Sequence, residues 1–135
     1  MKNNMNKRFI TWDYIETAVD NIASQIESSG LDIKYIFGMP RGGLIPAVML
    51  SHRLDIPLFK TGMTLSSKVL IVDDICDSGI TLHKYNVPTA TIHYKQSASI
   101  EPNFYYSLAK NDSWYYYPWE LKDSKTIQDY ATKRI

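Results

Sequence analysis

The stretch "KVLIVDDICDSGIT", residues 68–81, constrains this chain more than any other. Val69–Val72 is a continuous apolar run, the pattern of a strand covered on both faces. Two adjacent carboxylates, Asp73 and Asp74, end it, and Asp77, Ser78, Gly79 and Thr81 follow. A plain strand-to-helix turn has no need of three aspartates together with Ser, Gly and Thr. In an open α/β sheet, ligands bind beyond the carboxyl ends of the strands. The stretch therefore reads as a strand that delivers a polar site.

The surroundings agree with that architecture. "TWDYIETAVDNIASQIESSG" is an amphipathic helix. Thr11 is placed to cap it, Ile15, Ala18, Val19, Ile22 and Ile26 form one apolar stripe, and Gly30 ends it. "KYIFG" (34–38) is a short strand, "MPRGG" a turn, and "LIPAVMLSHRL" (44–54) a second helix with Pro46 in its first turn. "DIPLF" (55–59) reads as a further strand, held to an edge or an end by Pro57. "KVLIVD" is the central strand, "TATIHY" (89–94) the next, and "NFYYSLA" (103–109) another. "TLHKYN" has room for one or two helical turns, and "DSWYYYPWE" reads as an aromatic loop. The alternation of strand and helix predicts an α/β fold: an open, mostly parallel twisted sheet flanked by helices. Residues 1–8 read as a polar tail, 9–120 as one domain, and 121–135 as its C-terminal extension.

Composition narrows the function classes. The 135 residues suit one domain, and 15 basic against 14 acidic residues leave a net charge of +1. That balance argues against a nucleic-acid face but permits a local anion site. The single cysteine, Cys76, cannot form an internal disulfide and reads as a small filler. His52, His83 and His93 lack metal-ligand spacing. No run approaches the roughly 18 apolar residues of a membrane span, and the polar start has no signal-peptide core, so a cytoplasmic protein without a membrane partner is expected.

Two strand ends carry candidate chemistry. Ser78, Gly79 and Thr81 can form an anion nest before a helix, suited to a phosphate monoester. Arg41, with the backbone freedom of Gly42 and Gly43, offers a second anion site suited to a diphosphate. An extended strand sends the adjacent side chains of Asp73 and Asp74 to opposite faces. One could then meet ligand hydroxyls or hydrated Mg²⁺ while the other braces the basic side. The sum describes a phosphorylated sugar diphosphate. Taken alone, "RGG" is also an ordinary turn, Lys95 an ordinary strand end, and Trp114 ordinary packing.

Lys68–Thr81 resembles the phosphoribosyl diphosphate motif of type I phosphoribosyltransferases. "GMPRGGLIPAVMLSHRLDIP", "ITWD" and "WYYYPWE" are similar to segments of the bacterial xanthine-guanine branch, and the likeness spans roughly Phe9–Glu120. The resemblance implies the type I phosphoribosyltransferase fold. It also implies Mg²⁺-dependent transfer of a 5-phosphoribosyl group to a purine base, with release of pyrophosphate. By that resemblance Asp73 and Asp74 contact the ribose hydroxyls and the metal-water network, Asp73 meeting the metal directly or through water. Asp77 lies near the base N7, and Ser78, Gly79, Ile80 and Thr81 hold the 5-phosphate. Arg41 and Gly42 belong to a pyrophosphate loop that often contains a non-proline cis peptide. Lys95 donates to a 6-oxo group, Trp114 stacks on the base, and Tyr115 offers its carbonyl to the base edge. A homodimer or homotetramer is implied as well, with part of Tyr105–Tyr117 expected near the interface.

The chain departs from the family pattern in one place. Only Lys60–Ser67 joins Phe59 to Lys68, where relatives carry a long loop that closes over the reactants, so a reduced hood is expected. Two alternatives stay open: an enzyme for another base or a sugar-diphosphate hydrolase, and a non-catalytic phosphoribosyl diphosphate- or nucleotide-binding regulator.

Overall fold

The computed structural model describes residues 5–79 and 86–121. The short helix expected at "TLHKYN" lies, apart from Asn86, outside the described residues. The described chain runs β1 (Asn6–Phe9), α1 (Trp12–Ser29), β2 (Tyr35–Gly38), α2 (Leu44–Leu54), β3 (Val69–Cys76), β4 (Thr89–Tyr94), β5 (Phe104–Leu108) and β6 (Ser113–Tyr116). β2, β3, β4 and β5 form one sheet in that order, every pair parallel. This is the open, mostly parallel α/β sheet flanked by helices that the sequence predicts.

Local chemistry explains the helices. The Thr11 hydroxyl accepts from the Tyr14 N–H at 3.1 Å, and Gly30 takes the left-handed conformation at φ 77° that ends α1. The whole predicted stripe, Ile15, Ala18, Val19, Ile22 and Ile26, is buried. It packs with Ala47 and Leu50 of α2, Ile36, Leu70, Val72, Ala90, Ile92 and Phe104 of the sheet, and Tyr117. Each such aliphatic side chain contributes about 1.5–3 kcal/mol when fully buried. A smaller cluster of Met39, Ile71, Cys76 and Tyr94 covers the other face. No described helix is long and apolar enough to cross a membrane.

Three expectations change. "DIPLF" makes only one parallel bridge, Leu58 to Ile36. Pro57, without an N–H, accepts from the Ile36 amide at 3.0 Å and stops the pairing there. The polar stretch read as a tail supplies β1, and the aromatic "loop" supplies β6; the two pair in parallel from Asn6↔Ser113 to Phe9↔Tyr116. Phe9 stacks on Tyr116 at 5.1 Å, and Arg8 Nε donates to Ser113 Oγ at 2.7 Å. Finally, β3 continues through the acidic pair to Cys76 instead of ending at Asp73.

That last difference changes how the acids are presented. Leu70, Val72 and Ile75 all pack on the helix-covered core, whereas Ile71 and Cys76 pack on the opposite face. The alternation of faces therefore skips one residue at Asp73–Asp74. β4 does the same: Ala90 and Ile92 face the helices and Tyr94 faces away. Ile71 pairs with Thr89 and Cys76 with Tyr94, so both strands skip together and the register survives.

The tyrosine cluster is occupied within the chain. Tyr105 meets Tyr94 at 5.0 Å, Tyr106 meets Tyr14 at 5.4 Å, and Tyr115 meets His93 at 4.5 Å, while Tyr117 stacks on Trp119 at 5.3 Å.

Candidate active site

Because the strand alternation breaks at Asp73–Asp74, the two side chains do not diverge as an extended strand requires. Their carboxyl groups hydrogen-bond each other. Asp73 Oδ1 also accepts from the Asp74 amide, and Asp74 Oδ1 from the Ile75 amide, both at 2.8 Å. Burial and then the neighbouring Asp74 charge hold the Asp73 carboxyl well above the usual range. Burial raises Asp74 to about 6, with the Glu120 carboxylate adding to the effect. Two half-buried carboxyls side by side resist full ionisation, and an incoming cation or hydroxyl donor relieves that penalty.

The turn after β2 closes directly onto this pair. Met39 donates to the Val72 carbonyl at 2.8 Å, and Gly43 donates back to Met39 at 2.8 Å. The Pro40–Arg41 peptide is cis, the feature that the resemblance associates with a pyrophosphate loop. A Cβ on Gly42 would fall on the Asp74 carboxylate, and one on Gly43 on the Val72 carbonyl. Glycine is needed here for close approach, which fuses the Arg41–Gly43 turn to the acidic strand. Arg41 itself is exposed.

Beyond the acids, the end of β3 meets the end of β4. Lys95 donates its amide to the Cys76 carbonyl at 3.0 Å, and its ammonium pairs with Asp77 at 3.2 Å. The lysine side chain is 8% exposed and the aspartate 58%, so a buried cation reaches out to a carboxylate at the surface. The Ser78 carbonyl accepts from Ser99 at 2.7 Å. Gly79 sits at φ 82°, where a Cβ would also press on Ser99 and Ile100. Ser78 and Gly79 thus form a turn docked on residues 99–100; Ile80 and Thr81 lie outside the described residues. Burial pushes the Cys76 thiol up to about 11, which leaves it an inert filler.

Trp114 and Tyr115 lie on β6, in the small second sheet, half-buried. Trp114 stands opposite Lys7. The Tyr115 hydroxyl accepts from the Lys110 amide at 3.0 Å. The approach to β6 is tied to the segment after Lys95 by a Ser97–Asn111 hydrogen bond of 3.2 Å. The structure therefore brings Arg41, Gly42, Asp73 and Asp74 into one group and Asp77, Ser78, Gly79 and Lys95 into the adjoining one. Trp114 and Tyr115 lie outside both groups, on the separate sheet, with Tyr115 against His93.

Three participants were missed in the sequence. Glu120 lies close enough to Asp74 to raise its pKa, and the Tyr117 hydroxyl donates to the Asp74 carbonyl at 3.3 Å. His93 touches that hydroxyl at 2.8 Å. A histidine inside the apolar run "TATIHY" was the available signal for a buried polar network.

Comparison with known proteins agrees with this geometry. No family model matches the chain. Xanthine-guanine phosphoribosyltransferase of Cereibacter sphaeroides is 27% identical, over 83% of this chain and 86% of that protein. The structure of a purine phosphoribosyltransferase from Pyrococcus horikoshii superimposes with a TM-score of 0.73 at 32% identity, covering 91% of this chain and 99% of that one. A protein from Neisseria gonorrhoeae with bound ppGpp superimposes at 0.68 with 25% identity, over 88% and 92% of the two chains. The chain belongs to the type I phosphoribosyltransferase superfamily and is related to its purine branch.

Proposed function

We propose that this protein transfers the 5-phosphoribosyl group of phosphoribosyl diphosphate to a 6-oxopurine (guanine, xanthine or hypoxanthine) and releases pyrophosphate. The observation that carries the reading is the fusion of the Arg41–Gly43 turn to the acidic pair through Gly42, with the Lys95–Asp77 pair at the neighbouring strand end. Pyrophosphate leaves from the Arg41–Gly42 side, where the guanidinium and turned backbone amides meet its growing charge. Asp73 and Asp74 orient the ribose hydroxyls, and Ser78, Gly79, Ile80 and Thr81 hold the 5-phosphate. Lys95 donates to the 6-oxo group, Asp77 faces the N7 edge, Trp114 stacks on the base, and the Tyr115 carbonyl meets its rim. These contacts hold the base nitrogen opposite the breaking bond.

Mg²⁺ fits the donor set. Among the described residues no group of three or more His, Cys, Asp or Glu is placed to hold a metal. A dication would therefore rest on the Asp73–Asp74 oxygens, with Asp73 bound directly or through water, and on substrate oxygens, the usual preference of Mg²⁺. When bound, Mg²⁺ neutralises charge on the diphosphate. The reading includes self-association as a homodimer or homotetramer with part of Tyr105–Tyr117 at or near the interface; Leu44, Ile45 and Val48, exposed on α2, are further apolar surface that it would cover.

A second reading has its own support. The similar Neisseria protein holds ppGpp, a guanine nucleotide with diphosphate groups, and the Lys60–Ser67 link is short for a closing hood. A non-catalytic nucleotide-binding regulator would use the same base and phosphate contacts. The deciding experiment is a base panel with phosphoribosyl diphosphate and Mg²⁺, following nucleotide and pyrophosphate together. Pyrophosphate release that requires guanine, xanthine or hypoxanthine, with adenine at least about 100-fold slower, is expected, since a site built to donate to an oxo group rejects an analogue lacking it. Release without a base indicates a hydrolase, and nucleotide binding without turnover indicates the regulator.

A further inference from the structure

At the acidic pair β3 keeps its pairing with β4 but has left β2. The last β2–β3 pair is Gly38↔Val72, two residues short of Asp74. The Asp74 and Ile75 amides are taken by aspartate side chains, and the Asp74 carbonyl by the Tyr117 hydroxyl at 3.3 Å. The orientation of both carboxylates thus rests on side-chain contacts, of which the Tyr117 bond comes from outside the strand.

That contact is one link of a longer chain. The Tyr117 hydroxyl lies 2.8 Å from His93 Nδ1, and His93 Nε2 lies 3.0 Å from the Tyr14 hydroxyl of α1. A carbonyl only accepts, so the single Tyr117 proton goes to Asp74. His93 Nδ1 must then carry a hydrogen and donate to the tyrosine oxygen, which leaves Nε2 to accept from Tyr14. All three bonds run one way, from α1 through β4 to the acidic strand. Burial lowers the His93 pKa to about 4, so the ring is neutral near pH 7 and this tautomer is available. Tyr14 stacks on His93 at 5.5 Å, and Tyr117 stacks on Trp119, so both phenols are held by packing as well.

We infer that His93 and Tyr117 are positioning residues for the acidic pair: the Tyr14–His93–Tyr117 chain fixes how Asp73 and Asp74 are presented to the ribose of the substrate. The inference rests on the transferase reading. For Tyr117→Phe it predicts an effect on the ribose side of the reaction, because the hydroxyl removed bonds the Asp74 carbonyl and His93. His93 itself packs on Tyr115 at 4.5 Å, so the base-side reading is taken from Tyr117→Phe and not from the His93 variants.

The test compares parent, Tyr117→Phe, His93→Phe, His93→Asn and the Tyr117→Phe/His93→Phe double variant in steady-state transfer with Mg²⁺. Tyr117→Phe removes one oxygen and keeps the ring stack, so it carries the result even where His93→Phe folds poorly. It is expected to lower kcat/KM for phosphoribosyl diphosphate roughly tenfold, since small misplacements of reacting groups are costly, and to leave KM for the base unchanged. The double variant is expected to lose little beyond the worse single, as members of one chain are not additive. His93→Asn, which keeps a donor near the Nδ1 position, recovers most of the loss. A parent without base-dependent turnover overturns the transferase reading and this inference with it. With an active parent, three results overturn the positioning role alone: unchanged kinetics in Tyr117→Phe, an equal rise in KM for the base, or His93→Asn as impaired as His93→Phe.

Discussion

Val69–Val72 and Asp73–Cys76 are consecutive halves of one strand held by different means. The first half alternates regularly, is buried, and pairs with β2 along its whole length. In the second half the faces skip a residue, two amides bond to aspartate side chains, and the pairing with β2 is gone. The first half contributes stability through apolar burial. The second gives up its ladder bonds to β2 and accepts two carboxyls that resist ionisation, an arrangement that the proposed function uses to present both acids to the substrate. The proposed site begins at the position where strand regularity stops.

The sharpest way to break that contrast is to exchange the expected phenotypes. Leu70 is fully buried in the first half. Leu70→Ala should cost about 3 kcal/mol, the middle of the range for such truncations, and leave both KM values unchanged in the folded fraction. Urea unfolding together with kinetics checks this. A large KM change at full folding would mean that the two halves are not separable.

Gly42→Ala addresses the second half. The added methyl would displace either the turn or the Asp74 carboxylate. Transfer should fall by about 100-fold, as expected for displaced reacting groups, with a smaller change in melting temperature. Gly62 is the control: it sits at φ 93° with open space around its missing side chain. Gly62→Ala should cost about 1 kcal/mol of stability through its backbone conformation alone and leave turnover intact. Equal activity losses in the two variants would remove the steric argument for Gly42.

The same contrast explains what the sequence disclosed. Val69–Val72 announces itself because apolar composition is its mechanism. α1 is equally legible, since Thr11, Gly30 and the five-residue stripe each act locally. The acid residues of the site were also legible as types. Their arrangement was not: face alternation is read from apolar residues, and the skip falls on two aspartates that carry no such signal. β1 was hidden because Asn6–Phe9 lies mostly exposed on an edge and finds its partner over a hundred residues away. Lys95 looks like a surface residue until the fold brings its buried stem against Asp77. Tyr117 shows only an aromatic residue, with no indication that its hydroxyl serves a strand backbone.

The smallest expected effect is also the most diagnostic of the second half. Asp74 titrates at 3.8 when unperturbed and at about 6 in the folded chain. Between those values the native state holds more protons than the unfolded state, so this group's contribution to stability falls as pH rises through the window and stays low above it. Asp73 is raised too and acts in the same direction. His93 does the opposite: its pKa drops from 6.5 to about 4, so its contribution rises with pH across nearly the same interval. The parent's profile is therefore a partial cancellation and by itself reveals little. The difference between Asp74→Asn and parent removes the shared His93 contribution. That difference should be near zero at pH 4, grow in favour of the variant up to about pH 6, and level off by pH 7 at about 1–2 kcal/mol, less than the full shift because solvent at the half-buried Asp74 screens part of the penalty. Urea melts of both proteins without metal or substrate, taken at half-unit intervals from pH 4 to 8, provide the measurement. A difference that is flat with pH would mean that Asp74 ionises without penalty. The second half of β3 would then incur no electrostatic cost for its role.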